Sequence, residues 1–448
     1  MINYELIVAV ILCISLLLFM IVKLKFHPFI ALLTSSIILG IFADLDSDQI
    51  ISNIQTGMAN TLGFIAVVVG LGALLGAILE HSGGAIVITK YMIKKLGINQ
   101  APLAMAFSGF LIAIPVFFDV AFIILIPIIY ALQKQTGKSL LLFAMPLLAG
   151  LATTHAFIPP TPGPIAVAQI IGANLGWVIY IGFIVGIPTV MISGVLFGKF
   201  ISKRIFISAP PSTDKVDHNS KNSMPSVNII LIIILLPLIL ILINTIVQYE
   251  LISINNGIVK SSIQLIGHPF CALLLANILA WYILGIKQGF TKTQLLDISR
   301  KSLIPAGSII LITGAGGVLK EFLVSTGIGE MIAKSLNESG FSILLFSYLV
   351  AFLIRIFQGS STVAMITAAS LVSPLIISTT SNLDLACIVI SIAAGASATS
   401  HVNDSGFWLV NQYLRTSEKE TFYSWTGMTT ILSLSGFIIV TIINYILG

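Results

Sequence analysis

The sequence predicts an all-α polytopic membrane protein made of two inverted repeats. Each repeat has five spans and one re-entrant hairpin, and helices break near the membrane midplane. Three observations predict this. Hydrophobic residues make up 57% of 448, charged residues 9%, and mean hydropathy is +1.07. A soluble domain carries about 25% charged residues, so this chain cannot cover a water-exposed surface. Distinctive segments occur twice, in the same order and at a nearly constant spacing. His27-Pro28-Phe29 returns as His268-Pro269-Phe270, Gly70, Gly72, Leu75, Leu79 and Gly83 return as Gly314, Gly316, Leu319, Leu323 and Gly327, and Ala152 to His155 returns as Ala398 to His401. Finally, proline and polar clusters interrupt the apolar runs at corresponding places.

Apolar runs cover 5–22, 28–43, 58–80, 101–131, 139–174 and 177–198, then 227–249, 266–285, 303–324, 341–378, 384–414 and 424–447. Many approach or exceed the ~20 apolar residues that cross a bilayer. The 101–131 run is too long for one span and is interrupted near Pro115, with Asp119 just beyond. Lys90, Lys94 and Lys95 precede it and Lys134 and Lys138 follow it, so both of its ends read as cytoplasmic and the run as a hairpin. The 139–174 run contains Pro159, Pro160, Pro162 and Pro164, which cannot continue a helix. It reads as a broken span with an unwound middle. Lys90, Lys94 and Lys95 fall at helical spacing in 84–96, which reads equally as an interfacial amphipathic helix or as a loop.

The polar stretch 199–226 divides a first repeat, 1–198, from a second, 227–448. Five crossings are odd in number, so the second repeat is expected to be inverted. Loop charges set the direction. Lys23 and Lys25, the 90–95 lysines, the central linker, the Lys287/Lys292/Arg300/Lys301 loop and Arg415/Lys419 mark the inside. Asp44, Asp46 and Asp48, and the flank carrying Glu330 and Glu338, mark the outside. Both termini then lie outside. Met1 to Tyr4 has no Lys or Arg, so 5–22 reads as a retained first span rather than a signal peptide. The net charge of +5 reflects loop lysines and not nucleic-acid binding. Cys13, Cys271 and Cys387 are scattered and show no metal-ligand or disulfide spacing.

Five ionisable residues fall deep in the apolar runs: Asp119, His155, Arg355, His401 and Asp404. Placed unpaired in lipid they would cost on the order of 10 kcal/mol, comparable to a whole folding stability. They are therefore expected to face one another or a polar cavity. Asp119 and Arg355 fall near the two hairpin tips, and His155 and His401–Asp404 at the two helix breaks. The first tip reads Ile114-Pro115-Val116-Phe117-Phe118-Asp119, the second Arg355-Ile356-Phe357-Gln358-Gly359-Ser360-Ser361-Thr362. Glycine permits close backbone approach, hydroxyls offer donors and acceptors, and freed N–H groups at a helix start favour an anion. Arg355 can grip a carboxylate or pair with Asp119 or Asp404; Ser360, Ser361 and Thr362 can bind solute or cap a helix. The second break, Ser400-His401-Val402-Asn403-Asp404-Ser405-Gly406, reads as a lined cavity. His and desolvated Asp are natural proton carriers, although His155 can also simply fix its loop. His27 and His268 read as interfacial structural residues. No Walker loop, metalloprotease motif or nucleophile elbow is present.

Phe117-Phe118-Asp119-Val120, Leu125-Ile126-Pro127, His155 through Pro164, Gln358 through Ala364 and Ser400 through Trp408 resemble the gluconate permease family, the gluconate:proton symporters of bacterial inner membranes. The resemblance covers essentially the whole chain. It implies proton-coupled uptake of a small hydroxylated carboxylate, with no cofactor. It also implies kinship with the ion-transporter superfamily, in which a transport domain moves against a scaffold that dimerises, which allows a homodimer here. Two positions depart from the pattern. Thr161 stands where the family usually has His, and Phe-Phe-Asp at 117–119 also resembles the D-serine transporter branch.

The expected substrate site comprises Phe117, Phe118 and Asp119, then Thr154, His155, Thr161 and Gly163, then Arg355, Gln358, Gly359, Ser360, Ser361 and Thr362, and finally Asn403, Ser405 and Gly406. Asp119, His155, His401 or Asp404 is expected to carry the proton. The expected partners are the carboxylate, the proton and membrane lipid; D-serine or D-glycerate are the alternative substrates. A channel would need a continuous polar pore, a sensor an output domain, and an enzyme a nucleophile or metal motif, and none of these is evident.

Overall fold

Proline, glycine and polar caps set where many of the helices begin and stop. The computed structural model describes residues 4–210, 225–248, 256–327, 342–376 and 380–447, together with 252 and 254. Half of the 199–226 linker, residues 211–224, and the Glu330/Glu338 flank lie outside the described residues. The helices before the linker are α1 (Tyr4–Val22), α2 (Pro28–Phe42), α3 (Ser47–His81), α4 (Gly84–Leu96), α5 (Ala101–Ile112), α6 (Phe118–Thr136), α7 (Leu141–Phe157), α8 (Pro162–Ile171), α9 (Leu175–Val190) and α10 (Phe197–Ile201). After it come α11 (Val227–Gln248), α12 (Gly257–Ile266), α13 (Pro269–Ala280), α14 (Lys292–Ser325), α15 (Ile343–Gln358), α16 (Ser361–Val372), α17 (Asn382–Ala396), α18 (Ser405–Leu414), α19 (Glu418–Thr421) and α20 (Gly427–Leu447). Among the described residues, eight helical stretches are long and apolar enough to cross a membrane. This is a polytopic helical membrane protein.

The duplicated His-Pro pairs have the same local role. His27 and His268 are the N-caps of α2 and α13, and the Nδ1 of each accepts a hydrogen bond at 3.3 Å, from the N–H of Phe29 and Phe270. Each following proline sits in the first turn, where its missing N–H costs nothing. The long helices α3 and α14 start earlier than their apolar runs. Capping boxes explain this: Asp46 with Gln49 opens α3, and Thr291 with Gln294 opens α14. Asp48 and Lys292, Arg300 and Lys301, which the sequence placed in loops, therefore lie on helices. An Asp297–Lys301 pair one turn apart, at 2.8 Å, supports that polar extension.

α3 packs along α14, and each also packs on a short helix of the other half, α13 and α2 respectively. The crossing is close because it is made by glycines. A Cβ on Gly57 would meet Gly317 O and Val318 Cα at 2.7 Å, and one on Gly317 would meet Gly57 O at 2.7 Å. Gly57→Val is expected to lower thermal stability in detergent by roughly 1–3 kcal/mol, because the obstructing atoms are backbone. An unchanged melting temperature would show that the crossing can open.

The breaks fall where proline and polar residues predicted them. α5 ends before Pro115 and α6 resumes at Phe118. Gly359, at φ +88°, separates α15 from α16. Residues 158–161 separate α7 from α8, and 397–404 separate α17 from α18. Two of the four prolines at 159–164 do not break anything, however. Pro162 and Pro164 form the first turn of α8, and His155 lies in the last turn of α7. The 84–96 segment is helical, with Gly84, Ala85, Ile88 and Thr89 buried and Lys90, Lys94 and Lys95 exposed.

Candidate functional site

Four helices begin at the interruptions: α6, α8, α16 and α18. The starts of α6, α16 and α18 line one cavity of about 400 Å³. Its wall includes Phe117, Phe118 and Asp119 from the first, Ser360, Ser361 and Thr362 from the second, and Asp404, Ser405 and Gly406 from the third. Arg355, from the last turn of α15, and His155 complete its polar surface. First-turn N–H groups lack intrahelical acceptors and carry the positive end of the helix dipole, so three converging helix starts favour a bound anion.

Arg355 is the buried cation of the site, with a side chain 5% exposed. Its Nη2 donates to Asp404 Oδ2 at 2.5 Å. Its Nε and Nη1 have no partner among the described residues. A buried guanidinium donor left unmet costs on the order of 1–3 kcal/mol, so these two nitrogens favour acceptor oxygens. Asp404 also receives the Ser400 hydroxyl at Oδ2 and caps α18 through Oδ1, which accepts from Gly406 N at 3.2 Å. Ser400 is fixed in turn: Trp425 Nε1 donates to its Oγ at 2.7 Å, and its N–H donates to Thr429 Oγ1 at 3.1 Å. The carboxylate that holds Arg355 is thus anchored to the last long helix.

Asp119, by contrast, is exposed to the cavity and makes neither ion pair nor hydrogen bond among the described residues. The side chains of Ser361, Thr362 and Ser405 face the cavity and make no hydrogen bond among the described residues. His155 Nδ1 is buried without a partner among the described residues, and its ring lies 6.2 Å from that of Phe117. Phe118 packs on Trp425 at 5.4 Å between ring centroids. The cavity therefore combines aromatic walls with unmet donors and free hydroxyls. Among the described residues, no three His, Cys, Asp or Glu side chains gather as a metal ligand set.

The remaining predicted site residues lie off this wall. Asn403 Nδ2 donates to Ile356 O at 2.8 Å, and His401 Nε2 lies 3.2 Å from the same carbonyl. Both serve the free C-terminal end of α15. Gly359 is where the two interruptions touch: a Cβ there would meet Asn403 O at 2.3 Å. Gln358 Oε1 accepts from Ser360 N at 3.1 Å. Thr161 donates to Ile158 O at 2.6 Å and borders a small enclosed space beside His155 and Phe117. Gly163 packs against Met365, and Thr154 is buried with an unpartnered hydroxyl.

Comparison with known proteins gives this geometry a context. The model of the GntP family permeases matches residues 5–446. The chain belongs to that family. It is 37% identical over 433 residues to the gluconate permease of Pseudomonas aeruginosa, covering 96% of this chain and 95% of that one. It is 39% identical over 425 residues to the low-affinity gluconate transporter of Escherichia coli strain K12, covering 95% of each. The Gnt-II system L-idonate transporter of the same strain is 35% identical over 435 residues, covering 97% and 98%. Among solved structures, the YdaH transporter of Alcanivorax borkumensis is similar in fold, with a TM-score of 0.64, 15% identity and 99% of each chain covered. This GntP permease is a transporter and not an enzyme.

Sequence reasoning missed several residues of this permease's cavity. Trp425 and Thr429 were passed over, although Ser424, Trp425, Thr426, Thr429 and Thr430 form a polar patch in an otherwise apolar span. Pro305 and Ile309 of α14 also line the wall and carry no polar signal. Charges inside apolar runs were overlooked as well: Glu80, and Lys320 with its neighbour Glu321. Lys320 of α14 donates to Ile170 O at 2.6 Å, and Ser373 Oγ donates to the same carbonyl at 2.8 Å. A cation placed against the C-terminal carbonyls of α8 complements the helix dipole.

Proposed function

We propose that this permease takes up gluconate or a related small sugar acid together with a proton, across the bacterial inner membrane. The observation that carries the reading is Arg355: buried, held by Asp404 through one nitrogen, with two nitrogens unmet beside free hydroxyls. The substrate carboxylate would take the guanidinium, and the polyol chain would meet Ser361, Thr362 and Ser405. A cavity of about 400 Å³ is in the usual range of small-molecule sites, ~300–1,000 Å³. The relatives' named substrates, gluconate and L-idonate, belong to this chemical class, and one E. coli relative is named an inner membrane permease.

Proton coupling follows from charge balance. With both carboxylates ionised, Asp119 and Asp404 oppose one guanidinium, and the site carries one net negative charge before an anion arrives. Adding a carboxylate doubles it, in a partly desolvated space where like charges repel strongly. Taking up one proton restores the balance. Protonated at Oδ2, Asp404 would release Nη2, and Arg355 could then offer two nitrogens of one edge to the substrate. Asp119, His155 or His401 could supply or relay the proton.

We read the two halves as inverted repeats, with both termini outside. The reciprocal packing of α3 with α13 and of α14 with α2, and the matched breaks in both halves, support this reading. A midplane site shared by two such halves suits alternating access.

Uptake of radiolabelled gluconate, L-idonate, D-glycerate and D-serine into proteoliposomes tests the proposal. An inward proton gradient should drive the sugar acids. A voltage imposed without a pH gradient should not, because one anion plus one proton moves no charge. One zwitterionic D-serine plus a proton would gain ~2.3 kcal/mol per 100 mV. Voltage-driven uptake of D-serine, with no uptake of gluconate under a proton gradient, would overturn the assignment.

A further inference from the structure

A second polar cavity, of about 670 Å³, lies far from the substrate site, where α6 and α10 end and α5 and α7 begin. Lys138, Lys199 and Lys203 line it, with Asn99, Thr136 and Ser202. None of the three lysines has an ion-pair partner among the described residues. From His81 to Thr213 the one acidic residue is Asp119. It stands at the opposite end of α6, roughly 26 Å from Thr136 by helix rise.

The pocket is rigidly built. The chain leaving α10 is pinned across it by Leu140 N to Ile207 O at 2.8 Å, Ser139 Oγ to Ile205 O at 2.9 Å and Ala209 N to Gln133 Oε1 at 3.2 Å. No side chain caps the start of α7. Immediately beside the lysines, Leu196, Phe200 and Phe206 are exposed apolar side chains, with the Arg204 guanidinium 4.3 Å above the Phe200 ring.

We propose that this pocket binds the phosphate of an anionic phospholipid, whose acyl chains lie along Leu196, Phe200 and Phe206. Three ammonium groups with no ion-pair partner among the described residues, beside the Asn99 amide, recognise a phosphate ester. Helix ends place the pocket at headgroup level, and the neighbouring apolar surface distinguishes a lipid from a soluble phosphate. Basic pockets between transmembrane helices are suited to such headgroups.

Native mass spectrometry of the purified full-length permease tests this, with phosphatidylglycerol, phosphatidylcholine and glycerol 1-phosphate as probes. Phosphatidylglycerol should bind and phosphatidylcholine should not. Each lysine near an anionic group is worth enough that Lys199→Gln should weaken binding about fivefold, and K138Q/K199Q/K203Q on the order of a hundredfold. K94Q/K95Q, on α4, should leave binding unchanged. If the triple variant cannot be purified, the single one reads the same step. Undiminished phosphatidylglycerol binding by K199Q or the triple variant would overturn the proposal. Equal loss in K94Q/K95Q would reduce it to general surface charge, and lysine-dependent binding of glycerol 1-phosphate would make the site one for a soluble ester; either result overturns the lipid assignment.

Discussion

Arg355→Ala is expected to abolish uptake and to destabilise the solubilised protein by about 3–5 kcal/mol, the usual consequence of leaving one member of a buried ion pair alone. Asp404 would keep only the Ser400 hydroxyl and the Gly406 N–H. The double variant R355A/D404N should recover most of that stability, because no unpaired charge remains, yet still not transport. Recovery of both stability and uptake would make the pair purely structural. Arg355→Lys separates the roles further. An ammonium can still neutralise Asp404 but cannot reproduce the planar fork, so the apparent substrate constant should rise sharply while stability falls little. Thermal unfolding and initial uptake rates, measured on the same preparations, read both effects.

Asp404→Asn should separate binding from energy coupling. An amide keeps the size and the cap on α18 but can neither take up a proton nor hold Arg355 as an ion. The guanidinium is then permanently available to an anion. Gradient-driven accumulation should be lost, while exchange of labelled for unlabelled substrate across the vesicle membrane persists. Normal concentrative uptake by this variant would remove Asp404 from the coupling role and pass it to Asp119 or a histidine. The exposed, unpaired Asp119 makes Asp119→Asn the companion measurement, and the pH profile of exchange should show which carboxylate titrates with transport.

Much of this site was legible because the signals were local and costly to ignore. Charges in apolar runs marked Asp119, Arg355 and Asp404, and proline and glycine marked the interruptions that bring them together. The Arg355–Asp404 pair joins residues of two different helices, and composition left it open against Asp119. Ser400, read only as part of a polar break, proved to be the link from Asp404 to Trp425. What stayed hidden depended on tertiary position. Asn403 and His401 carry the same kind of polar groups as Ser405, yet the chain turns them onto the Ile356 carbonyl. Pro305 and Ile309 reach the cavity only because α14 crosses beside it. The helix starts were misplaced for a simpler reason: hydropathy ends where lipid ends, whereas capping boxes carry α3 and α14 further into polar sequence.

Gluconate affinity as a function of pH tests the central claim most directly, measured on the detergent-solubilised permease by calorimetry or by tryptophan fluorescence, with Trp425 in the cavity wall. If one proton enters with each anion, the dissociation constant should rise about tenfold per pH unit above the titration of the coupling carboxylate, and Asp404→Asn should flatten that slope. An affinity that stays the same from about pH 5 to pH 9 in the wild-type protein would contradict the exchange of partners at Arg355.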